Sequence, residues 1–94
     1  MLQEHYPNGL CFARKKLGLS QKQMATLIGQ HRGMISAYER GHLMPSLASA
    51  CLFELLFKIP LADLFPAFYK ELGKELEANK RKLKRKIINP FEHS

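Results

Sequence analysis

Three glycines frame this chain: Gly18, Gly29 and Gly41 each stand where a run of helically spaced apolar residues stops. A helix C-terminus favours a left-handed residue, and glycine takes that conformation without steric cost. Ahead of Gly18, Leu10, Ala13 and Leu17 recur at helical spacing, with Arg14, Lys15 and Lys16 mostly outward. Ahead of Gly29, Met24, Ala25, Leu27 and Ile28 form an inward stripe. Ser20 with Gln23 three residues on matches a capping box, which opens this second helix. A third helix fits between Gly29 and Gly41, with Ile35 and Tyr38 pointing in and a first turn at 30–33.

Pro45-Ser46 opens a fourth helix over about 46–57, with Ser46 as N-cap. Pro60 and Leu61-Ala62-Asp63-Leu64-Phe65 suggest a short fifth, with proline in its first turn. Residues 67–88 then read as one long helix with Phe68, Leu72, Leu76, Leu83 and Ile87 on one stripe. No strand-type alternation and no internal repeat appears. The expected class is all-α, organised as a loose lead-in (1–8), a compact domain (9–65) and a basic amphipathic helix with a frayed end (66–94).

The length of 94 residues suits one domain with a modest core. The N-terminus MLQEHYPNG lacks the basic start and apolar run of a secretory signal, and the longest apolar stretch is broken by Glu54, Lys58, Pro60 and Asp63. The expectation is a cytoplasmic protein without a membrane partner. Cys11 and Cys51 have no second pair and are read as buried thiols. His5, His31, His42 and His93 lack ligand spacing, so neither a metal nor a cofactor is expected. No nucleophile, base and acid cluster at a workable spacing, which argues against an enzyme.

Charge points to a polyanion. The net charge is +7, and six of the eight residues from Asn79 to Lys86 are basic. Lys80, Arg81, Lys82, Lys84, Arg85 and Lys86 are therefore candidate polyanion contacts, the bland alternative being a solvated helix.

An α-helix fits the major groove of DNA but needs a supporting helix to fix its angle. That arrangement requires a small residue where the two helices touch, a turn glycine, and apolar anchors. Ala25, Gly29, Ile35 and Tyr38 supply them at workable spacing. The segment Leu19-Ser20-Gln21-Lys22-Gln23-Met24-Ala25-Thr26-Leu27-Ile28-Gly29 resembles the LSQxxLAxxxG signature of Cro/repressor-type (XRE-like) helix-turn-helix domains. Ile35-Ser36-Ala37-Tyr38-Glu39-Arg40-Gly41 is similar to the family's ISxxExG ending, and Pro45-Ser46-Leu47 and 59–64 continue the pattern. The resemblance covers about residues 10–65.

The resemblance implies a five-helix, lambda-repressor-like DNA-binding fold, here with an added C-terminal basic helix. It implies a sequence-specific regulator of transcription, expected to be a repressor and encoded on a phage or mobile element, with recognition helix 31–40. Arg32, Gly33, Met34 and Ala37 match groove-facing positions. Arg32 alone among them can read a base by a bidentate contact, and a phosphate contact is its other reading. Gln21, His31, Ser36, Arg40 and His42 match backbone-contacting positions. Arg14 and Glu39 match a buried ion pair. Gly33 and Ala37 offer little to the groove, so readout leans on Arg32, DNA shape or a second protomer.

Three features depart from the family. Glu54 stands where a small buried residue is usual, and Leu52 and Leu55 where polar ones are. The expected cover for these leucines is the stripe Phe68, Leu72 and Leu76, packed back in the same chain or swapped onto a partner. The expected partners are therefore double-stranded DNA and a second copy through helix 46–57 and the C-terminal helix. The competing reading is an antitoxin-like module whose main partner is another protein.

Overall fold

The structure, a computed structural model, describes residues 7–86. Residues 1–6 of the lead-in, the Lys86 side chain, Ile87 and residues 88–94 lie outside the described residues. Among these residues six helices follow in order: α1 (Leu10–Lys16), α2 (Gln21–Ile28), α3 (Arg32–Glu39), α4 (Leu47–Phe57), α5 (Leu61–Leu64) and α6 (Pro66–Lys86). Among the described residues there is no strand.

Local sequence sets the boundaries. Ser20 Oγ accepts from Gln23 N at 3.0 Å while Gln23 Oε1 accepts from Ser20 N at 2.8 Å, so both halves of the capping box form. Gly29 closes α2 with φ +77°, and the next residue's N–H turns back to Ala25 O at 2.9 Å. Ser46 Oγ caps α4 through Ser49 N at 3.2 Å. Pro60 precedes α5 as its N-cap instead of standing inside the first turn.

The core is built from one face of each short helix. Leu10, Met24, Ile35, Phe53 and Leu64 are its largest fully buried side chains. Phe53 meets Tyr38 edge to face, with ring centroids 6.0 Å apart, and joins α4 to α3. Asn8, expected in the loose lead-in, is instead held. Its side chain accepts from Leu10 N at 3.0 Å and donates to Tyr38 O at 2.9 Å, tying the start of α1 to the end of α3.

Several expectations fail on helical phase. Leu27 lies to one side of the face shared by Met24, Ala25 and Ile28, and is exposed. Leu17 caps α1 instead of extending its buried stripe, and is also exposed. Arg14, read from periodicity as mostly outward, is buried beside Leu10 on the inner face. Cys51 lies opposite the buried Ser49–Phe53 face of α4 and is exposed, while Cys11 is half-buried.

The long helix departs most. Phe68 packs against the core, but Leu72 and Leu76 stay exposed, and the cover expected for Leu52 and Leu55 within the chain does not form. α6 docks by its first turns beside α5 and then runs outward, giving a molecule of 53 × 32 × 20 Å.

Candidate nucleic-acid interface

α2 and α3 form the most closely packed helix pair. Ala25 is buried between them, and a larger side chain there would push the helices apart. Gly29, Ile35 and Tyr38 then fix the turn and the inner face of α3. The outer face is what remains for a ligand.

On that face Arg32, at the first position of α3, is exposed, and so is Gly33. Met34 is half-buried and packs against the core, while Ser36 and Ala37 are half-buried. His31 is the N-cap but makes no side-chain cap hydrogen bond. Its ring instead lies over Gly33, where an added Cβ would come within 3.2 Å of His31 Nδ1. Arg40 and His42 are exposed at the far end of the helix.

Behind this face lies a polar network. Arg14 Nε meets Glu39 Oε2 at 2.5 Å, and Arg14 Nη2 donates to Glu39 Oε1 at 3.1 Å. This two-point contact fixes orientation as well as distance. Arg14 Nη1 also donates to Leu19 O at 2.8 Å, in the connection leading to α2. Gln21 Nε2 donates to Glu39 Oε1 at 3.0 Å. One carboxylate thus holds α1, the start of α2 and the end of α3 in register.

Gln21 therefore has a role that sequence reasoning missed. It was expected to face a phosphate; one of its two amide hydrogens is committed to Glu39, leaving the other. Its helical position carried no signal of this, because the partner lies 18 residues away.

Burial pushes the Glu39 carboxyl up, but hydrogen bonds from Arg14 and Gln21 and the Arg14 charge outweigh it, and Glu39 titrates below the usual range. The hydrogen bond to Glu39 raises Arg14 against the opposing effect of burial. A depressed carboxylate stabilises the fold above its unfolded value of about 4.3, and loses that contribution as pH falls through the lower folded value. Urea midpoints measured from pH 6 to pH 2 should drop in that acid window for the natural chain. A smaller drop is expected in Glu39→Gln, whose amide does not titrate.

The tail candidates lie on α6, where Lys80, Arg81, Lys82, Lys84 and Arg85 are exposed. Lys80 pairs with Glu77 at 3.4 Å, and both groups remain open to solvent. Among the described residues no group of three or more His, Cys, Asp or Glu side chains is placed to hold a metal. No helix among them is long and apolar enough to cross a membrane.

The comparisons agree with this geometry. Residues 12–64 match the family model described as helix-turn-helix. No curated protein matches the chain. Among solved structures, the restriction-modification controller protein C.AhdI from Aeromonas hydrophila is similar, with 32% identity and a TM-score of 0.53. That likeness covers 60% of this chain and 85% of the other. The chain belongs to the helix-turn-helix family of XRE-like, DNA-binding transcription regulators.

Proposed function

We propose that the chain is a sequence-specific double-stranded DNA-binding repressor, with residues 9–65 as the DNA-binding unit and α3 in the major groove. The observation that carries this reading is the exposed Arg32 at the first position of α3, on a helix whose inner face is fully committed to the core. A guanidinium there has the fork geometry for guanine O6 and N7. His31, Gln21, Ser36, Arg40 and His42 are assigned to the DNA backbone, and the basic half of α6 to flanking phosphate. Gly33 and Ala37 add almost no side chain, so one protomer reads few base pairs. A regulator of this kind works as a homodimer on two half-sites.

Sites selected from random DNA should be two-fold symmetric, with a guanine at one fixed place in each half. Arg32→Ala should cost roughly 1–3 kcal/mol on the selected site and relax that one position. An equal loss on every sequence would make Arg32 a backbone contact and overturn the base-reading role.

A further inference from the structure

Met44, Pro45, Leu47, Ala50, Leu61 and Phe65 face Phe68, Tyr69, Leu72, Gly73 and Leu76 across an open groove of about 530 Å³. No charged side chain lines it. Much of the lining lies open: Leu47 is 78% exposed, Leu76 55%, Tyr69 49% and Leu72 44%. A helix running outward with such a stripe gains little from its own chain, although tertiary packing is what ordinarily stabilises helices.

Gly73 is the informative residue. Glycine is the poorest helix former after proline, yet here it occupies the interior of a 21-residue helix, on the groove face. A Cβ at Gly73 would meet nothing within 4 Å, so no contact in this chain requires its absence. Close approach of another backbone is the packing reason for such a glycine.

We propose that the groove receives α6 of a second copy of this chain, the two α6 helices crossing antiparallel at Gly73. The proposal rests on the homodimer reading above and deepens it by naming the contact. A second copy fits because the apolar helix the groove needs is also the groove's own wall. One two-fold axis then covers both stripes at once. Charge sets the direction. Around the crossing Lys70, Glu71, Lys74, Glu75 and Glu77 are of mixed sign, while the segment 80–86 is strongly basic. Antiparallel crossing sends the two basic ends apart, whereas parallel pairing would set them side by side.

Gly73→Ala separates the possibilities by sign. In a solvated helix alanine is the better helix former, so thermal stability should rise and mass should not change. At a close crossing the added methyl groups collide, so the dimer dissociation constant from sedimentation should rise about ten-fold or more. Meanwhile the diluted monomer should melt no lower than the natural chain. A second measurement places Gly73→Cys in a chain carrying Cys11→Ser and Cys51→Ser. Mild oxidation should link it into a dimer, since a disulfide needs Cα atoms within about 7 Å. A chain that sediments as a monomer at tens of micromolar overturns the homodimer and this contact together. A dimer that ignores Gly73→Ala, and that links through Leu55→Cys instead of Gly73→Cys, keeps the homodimer and overturns the crossing.

Discussion

Replacing Arg14 with methionine should cost about 3–5 kcal/mol of folding stability, because it leaves the Glu39 carboxylate buried without its cationic partner. For a small domain with a total stability of roughly 5–15 kcal/mol, that is a large share. At roughly 4–8 °C per kcal/mol for a chain of this size, the melting temperature should fall by more than about 12 °C. The loss comes from the stranded charge more than from the missing attraction. Arg14→Met with Glu39→Met should therefore recover much of it, since neither charge then remains to be buried. The pH response should also weaken. Without Arg14, the hydrogen bond from Gln21 still opposes burial at Glu39, but the Arg14 hydrogen bond and charge that lower its folded pKa are gone, so the single variant should lose less stability than the natural chain as pH falls through the acid range. The natural chain loses stability over the acid range. An Arg14→Met protein with an unchanged melting temperature would mean that the pair contributes nothing.

Salt should weaken DNA binding steeply. For six to ten phosphate contacts, affinity should fall by about 10³–10⁵ between 50 and 200 mM salt. Arg40 and the six basic residues of 80–86 supply charges for such contacts, each adding about 0.9 to the log–log slope. Truncation after Asn79 removes those six while keeping the groove and Gly73. The slope should fall by up to about five, with melting temperature and oligomeric state retained. Truncation after Pro66 removes Phe68 from its place against the core and should lower stability as well. If the shorter removal leaves both slope and affinity unchanged, α6 does not touch DNA.

On the crossing proposed above, the tail and groove also bear on specificity. A dimer fixed through α6 sets the separation of its two recognition helices, and that separation selects half-site spacing whatever the side chains read. The thin outer face of α3 makes this the stronger constraint. Variants that loosen the dimer should relax spacing before they relax base preference at Arg32.

The amino-acid sequence by itself determined the helices, the serine caps of α2 and α4, the glycine that ends α2, and the DNA-binding class. Those depend on near neighbours: a serine and a glutamine three apart, a glycine after the last inward residue, an alanine where α2 meets α3. The Arg14–Glu39 pair was legible only through family resemblance, since periodicity alone put Arg14 outside. Tertiary structure decided what depends on partners distant in sequence. It placed Gln21 on Glu39, laid His31 across Gly33, and held Asn8 against the end of α3. It also left Leu72 and Leu76 open beside Leu47 instead of covering Leu52 and Leu55. Helical spacing fixes which residues share a face, but the direction in which α6 leaves α5 fixes what that face meets, and direction is set by packing across the whole core.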